Sequence, residues 1–214
     1  MKDSEAVGLV AAIPGRSVGL RPIEADDLPF LAAMANDREV SSSVVRWGFP
    51  VGLDDQRRWF DSAARDMTTR RFVVVRPDNE RLGMGGLWEI DWHDRHAQAA
   101  IKLFPAAARR RGVGTDTLMT LMAYAFGDVG LQKLWASILD FNGPSLGAYV
   151  NKCGWKIEGV LRREAFRKGQ FHDAFRVSIL REEFDALPDA AEYVERIVPV
   201  DVNDKVNPPR ESRA

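Results

Sequence analysis

The segment Arg109-Arg110-Arg111-Gly112-Val113-Gly114-Thr115 sets three guanidinium groups and two glycines just ahead of the most regular helical pattern in the chain. Glycine lets a backbone turn with its N–H groups outward, and a first helical turn adds unpaired donors at the positive end of its dipole. Guanidinium–phosphate bonds are about twice as strong as neutral ones. The chemistry on offer is capture of a pyrophosphate or similar polyanion, although a solvated basic turn before an ordinary helix has the same spacing. No Gly-Lys-Ser/Thr follows at the gap a P-loop needs. The third glycine and early strand of a dinucleotide fingerprint are also missing.

Other reactive types are spread thinly. Alternation places Glu89 and Asp91 on one face of a strand, opposite Trp88, Ile90 and Trp92, with His93 and His96 near the following turn. Asn142 precedes Pro144, where it suits a helix cap. The one cysteine, Cys153, rules out an internal disulfide framework and a cysteine-based metal cluster, and no metal site is expected.

The elements that must hold these groups follow from period and punctuation. Alternation over 18–23 gives an edge strand closed by Pro22, and Leu28, Leu31, Ala32 and Ala35 give a helix to about residue 38. A loop over 41–52 and a helix over 54–67 come next, then three strands over 72–76, 82–92 and 97–104 in an antiparallel meander. From Gly112, the residues Leu118, Leu121, Met122, Ala125, Phe126 and Val129 form one helical stripe, followed by a strand over 133–139. Strand, helix and strand make a right-handed βαβ unit. A short helix over 144–152 and a hairpin of strands 155–166 and 171–180 close the pattern.

With 214 residues and 45% hydrophobic content, the expectation is one domain over 17–187 between a flexible tail (1–16) and a partly disordered C-terminal extension (188–214). A net charge of −1 supplies no global field toward nucleic acid or membrane. No stretch reaches the roughly 20 apolar residues of a membrane span, so a cytoplasmic location is the default expectation.

Taken in order, Leu20-Arg21-Pro22, Asp26-Asp27-Leu28, the Arg109–Gly114 motif, Asn142, Ser145, Tyr149 and Gly154-Trp155 resemble the GCN5-related N-acetyltransferase (GNAT) superfamily. Glu158-Gly159, Leu161-Arg162, Gly169, Asp173 and Ser178-Ile179-Leu180 continue the match. The branch is that of the ribosomal-protein alanine acetyltransferases (RimJ/RimL type) and spermidine acetyltransferases. The resemblance implies an α/β (α+β) fold with a central mixed, mostly antiparallel sheet of about seven strands and about four helices. Its βαβ unit would bind acyl-CoA.

By position, the resemblance assigns Arg109, Arg110, Arg111, Gly112, Val113, Gly114 and Thr115 to the CoA pyrophosphate. Backbone at Leu103 and Phe104, where the two strands splay, would pair with pantetheine, and Asn142 would bond the same arm. Tyr149 falls where relatives carry the general acid that protonates the CoA sulfur. One extra residue before Gly154 either bulges that helix or turns Tyr149 by about 100°, one helical step. The family's Ala-Glu-Ile-Gly strand reads Ala97-Gln98-Ala99-Ala100 here. The general base then falls to Glu89, ahead of Asp91, His93 and His96. Arg46, Trp47, Phe49 and Trp88 would line the acceptor pocket, with Trp92 and the region 166–171 nearby, a setting better matched to a flat or carboxylate-bearing amine than to a polycation. The implied reaction is direct attack of a small-molecule primary amine on acetyl-CoA, or another acyl-CoA, through a tetrahedral intermediate. Protein N-terminal acetylation and a silent acyl-CoA-binding module are the alternatives, and a homodimer is compatible with the family.

Overall fold

The computed structural model describes residues 12–197 apart from 46–48, 64, 110 and 111. Eight strands form one sheet: β1 (Ile13–Pro14), β2 (Gly19–Pro22), β3 (Arg70–Val75), β4 (Arg81–Asp91), β5 (His96–Leu103), β6 (Lys133–Leu139), β7 (Lys156–Arg167) and β8 (Gln170–Leu180). Their order is β1-β2-β3-β4-β5-β6-β8-β7. Every neighbouring pair is antiparallel except β5–β6, the parallel pair of the expected βαβ unit.

Among the described residues seven α-helices accompany the sheet: α1 (Leu28–Asn36), α2 (Arg38–Ser43), α3 (Leu53–Ala63), α4 (Val113–Ala123), α5 (Gly143–Leu146), α6 (Arg181–Asp185) and α7 (Ala190–Ile197). The predicted first helix is thus two. Asp37 has extended backbone, and its side chain accepts from the Val40 N–H, which ends α1 and caps α2. Among the described residues no helix is long and apolar enough to cross a membrane.

Strand alternation sorts the helices onto two faces. Met84 and Trp88 of β4 pack with Leu28, Leu31 and Met34 of α1, whereas Leu87, on the opposite parity, joins Leu118, Leu121 and Met122 of α4 in the main core. The early motif is structural. Arg21 and Asp27 are both buried and make two bonds of 2.7 and 2.9 Å, with Arg81 adding a third contact to Asp27 at 2.7 Å. Burial alone would raise the Asp27 carboxyl. The guanidiniums of Arg21 and Arg81 and the Glu24 N–H outweigh that and hold it at about 2.

Two expected boundaries move outward. Ile13 is buried and pairs with Leu20, so the ordered domain begins before residue 17, and α7 buries Ala190 and Tyr193 against the core beyond residue 187. The reason lies on α4, which is covered on more than its apolar stripe. Asp116, only 6% exposed, accepts from the N–H groups of Arg16, Ser17 and Val18, the Ser17 hydroxyl and the Tyr193 hydroxyl at 2.6–3.1 Å. The two terminal segments are therefore fastened to one buried carboxylate.

Candidate active site

The glycine turn opens directly onto α4. Gly112 sits at φ 79, and a Cβ there meets nothing within 4 Å, so only backbone strain opposes a side chain. No side chain caps α4, and its first intrahelical bond runs from the Asp116 N–H to the Gly112 carbonyl at 2.9 Å. Val113, Gly114 and Thr115 therefore offer N–H groups with no intrahelical acceptor, and all three line a cavity of about 1220 Å³. Donors of this kind fit a pyrophosphate.

The same cavity passes through a fork in the sheet. β5 and β6 pair only at His96–Lys133, Ala97–Leu134 and Gln98–Trp135, and beyond them both strands continue without pairing. β6 stays with β8 along its whole length, so β5 is left with an open edge from Ala99 onward. Such an edge can take an extended polar chain as an added strand. Leu103 lines the cavity there, and its carbonyl accepts from the Arg109 Nε at 3.2 Å. Phe104 is not among the lining residues. Its N–H is bonded to the Leu82 carbonyl at 2.8 Å and its ring packs on Phe30, with centroids 5.7 Å apart.

Tyr149 reaches the fork from the other side. Its hydroxyl lies 3.4 Å from the Ala99 carbonyl, one residue past the last β5–β6 pair, and its ring meets Trp155 edge-on at 4.8 Å. The extra residue before Gly154 is absorbed as a π-helical segment, Gly147–Lys152, continuing α5, and the Trp155 N–H bonds the Tyr149 carbonyl at 3.1 Å. Of the two outcomes open to the sequence, the helix bulges. Burial raises the Tyr149 phenol well above its ordinary range, with the neighbouring Cys153 adding to it, so the hydroxyl keeps its proton and acts as a donor. Cys153 is packing: it is fully buried, and burial pushes its thiol up to about 12.

On the α1–α3 side the walls are aromatic and cationic. Trp59 of α3 and Trp88 of β4 flank the Arg71 guanidinium at 4.9 and 5.8 Å, and the Lys102 ammonium lies 4.7 Å from the Trp88 ring. Glu89 lines this part too, in a left-handed conformation at φ 49 where the β4–β5 register slips between Trp88 and Asp91. The bulge breaks the alternation on which Glu89 and Asp91 were expected to share a face. Asp91 instead accepts from the N–H groups of His93 and Asp94 at 2.9 and 2.8 Å, and neither it nor the two histidines lines the cavity.

A family match supplies the decision. The Acetyltransferase (GNAT) domain profile matches residues 17–156. The chain belongs to the GNAT acetyltransferase family. It is 32% identical over 174 residues to spermidine N(1)-acetyltransferase of Escherichia coli K12, covering 78% of this chain and 88% of the relative. The corresponding Vibrio cholerae enzyme is 26% identical over 165 residues, covering 77% and 94%. A solved structure of Vibrio cholerae spermidine N-acetyltransferase in complex with CoA and spermine superposes with a TM-score of 0.73 at 26% identity, covering 78% of this chain and 97% of that one. The chain is accordingly an N-acetyltransferase with the fold its motifs implied.

In this acetyltransferase Gly112, Val113, Gly114, Thr115, Leu103, Arg109, Asn142, Tyr149, Glu89 and Trp88 converge on one cavity. Arg109 also pairs with Glu39 of α2. Asn142 caps α5 by accepting from the Ser145 N–H at 3.2 Å and donates to the Ser43 carbonyl at 3.0 Å, so it is fixed by structural bonds while lining the cavity. Phe49 stands apart, 87% exposed and outside the lining, as are Trp92, Phe166 and Phe171. Arg46, Trp47, Arg110 and Arg111 lie outside the described residues. Sequence reasoning missed Trp59, Arg71, Lys102 and Trp135. The available signal was the alternation of Gln98, Ala100 and Lys102, which puts a lysine on the face that carries Trp88.

Proposed function

We propose that this acetyltransferase moves an acetyl group from acetyl-CoA to a primary amine of a small molecule. The observation that carries the reading is the continuity of one cavity, from the uncapped N-terminus of α4, through the β5–β6 fork, to the aromatic chamber under α1–α3. The N–H groups of Val113, Gly114 and Thr115 hold the pyrophosphate, and the open edge of β5 orients the pantetheine arm. The thioester is the activated acyl donor. Glu89, at the bulge, takes the amine proton directly or through water as the new C–N bond forms, and Tyr149 donates to the sulfur as the C–S bond breaks. The relatives' named acceptor, spermidine, and the CoA of the Vibrio cholerae structure agree with a small amine and with this cosubstrate.

The test is thiol release from acetyl-CoA with a broad panel of small amines, with product confirmed by mass. Release that depends on amine is the expected result. CoA binding without release by any amine would turn the reading toward a binding module.

A further inference from the structure

Three strand rows define the chamber floor. On one face of the sheet, Trp88 pairs with Gln98 and Gln98 with Trp135; Arg71 pairs with Gly86 and Gly86 with Ala100; Val73 pairs with Met84 and Met84 with Lys102. Paired residues in a sheet project to the same side, and neighbouring strands lie about 4.8 Å apart. The middle row therefore has almost no side chain between Arg71 and the fork, because Gly86 and Ala100 fill it. The result is a shallow basin beside the reaction point, with Arg71 and Lys102 on its rim and the Trp59 and Trp88 rings as walls.

The rim chemistry is specific. Arg71 lies between two indoles, and its Nε is buried with no hydrogen-bond partner among the described residues. Burial lowers its guanidinium from the ordinary value, the direction expected where a cation has lost water. Lys102 shares the basin and is pulled down to about 8 by burial, with the charge of Arg71 adding to the effect. Two desolvated cations side by side repel each other and any further cation. An anion beside Arg71 offsets its lost hydration and gives the buried Nε an acceptor, and a planar carboxylate matches a guanidinium fork.

Resting on the acetyltransferase reading above, we propose that Arg71 and Lys102 form an anion-recognising subsite, and that the acceptor is a compact amine bearing a carboxylate and a flat body. The carboxylate sits at Arg71 and Lys102, the flat body lies along Trp59 and Trp88, and the amine points to the fork beside Glu89. The geometry disfavours a polyamine, whose second ammonium would meet the two cations.

The deciding experiment compares matched acceptors with acetyl-CoA: aromatic amino acids, the same compounds without their carboxylate, and spermidine, each with the wild-type protein and with Arg71→Gln. The expected preference in kcat/KM for the carboxylate member is roughly ten- to hundredfold, as for a lost charge-assisted bond. Arg71→Gln should erase most of that preference through KM, while kcat at saturation and the KM for acetyl-CoA stay within about twofold. Arg71→Lys should restore part of it. Equal or better turnover of spermidine or of the decarboxylated amines, or a preference untouched by Arg71→Gln, overturns the subsite alone. Absence of thiol release with every amine, by a protein that still binds CoA, overturns the transferase reading and the subsite with it.

Discussion

The two ends of the cavity are built in opposite ways. At the α4 end the groups on offer are backbone N–H donors of consecutive residues, presented by a glycine at φ 79 and a helix start. At the chamber end the groups are side chains: Arg71, Trp88 and Lys102 of β3, β4 and β5 are brought together by strand register, and Trp59 by the packing of α3. A site of the first kind tolerates changes of side chain but not of conformation. The second kind keeps its fold under substitution and changes its ligand.

That contrast is broken most directly at Gly112. Gly112→Asp forces a side chain into a left-handed position and sets a carboxylate at an anion mouth, with open space around it. The KM for acetyl-CoA should rise about a hundredfold, equivalent to ~2.7 kcal/mol, with only a minor loss of melting temperature. A KM unchanged in a steady-state titration would remove the α4 turn from the binding scheme. Next in size is Tyr149→Phe, which deletes a buried hydroxyl whose oxygen lies 3.4 Å from the Ala99 carbonyl at the fork. A drop in kcat of roughly thirtyfold is expected, with the KM for acetyl-CoA within about twofold, if the hydroxyl donates to the departing sulfur as proposed. An equal loss in KM would mean that Tyr149 shapes the binding arm instead.

The same contrast explains what could be read before the fold was known. The Gly112–Thr115 turn, the βαβ unit and the closing hairpin are local in sequence, and each lies within a residue or two of its expected place. The π segment at Gly147–Lys152 was legible as one residue too many before Gly154. The chamber was not legible, because a bulge at Glu89 resets the parity of β4, and no residue there announces it: Glu89 is not a glycine. Arg71 fell outside the strand expected from residue 72, so its pairing with Gly86 could not be anticipated. The elements that lie beyond 17–187 escaped the sequence for a related reason. Asp116 reads as an ordinary first-turn acid, and its partners Ser17 and Tyr193 lie 99 and 77 residues away.

Asp116 offers a smaller perturbation on the backbone-built side. Burial tends to raise its carboxyl, but donation from Ser17, Arg16 and Tyr193 prevails and leaves it below the ordinary range. Asp116→Asn keeps the shape and replaces one acceptor with a donor facing other donors. Stability in a urea titration should fall by ~1–2 kcal/mol, with the KM for acetyl-CoA nearly unchanged. The sign of the pH effect is fixed by the lowered folded value. The wild-type advantage over the variant is full above the unfolded carboxylate range near 4 and fades as pH falls through it. An advantage that did not shrink as pH fell below that range would show that the Asp116 charge is not what fastens the two terminal segments.

The smallest expected effect sharpens the chamber side. Lys102, pulled down to about 8, changes charge within the working range of an enzyme assay, whereas Arg71 remains cationic there. The acceptor amine also titrates as pH rises, so turnover mixes two protons. An N-acetylated product has no amine to titrate and isolates the chamber. Its binding should be pH-independent between about 5 and 7, where the carboxylate is ionised, and weaken a few-fold as pH passes about 8, because the ammonium of Lys102 is lost while Arg71 still holds the carboxylate. In Lys102→Met the affinity should sit at the weaker level at every pH, with the step gone. Calorimetry on both proteins reads this directly, and a step that survives in Lys102→Met would show that Lys102 is not the group that titrates there.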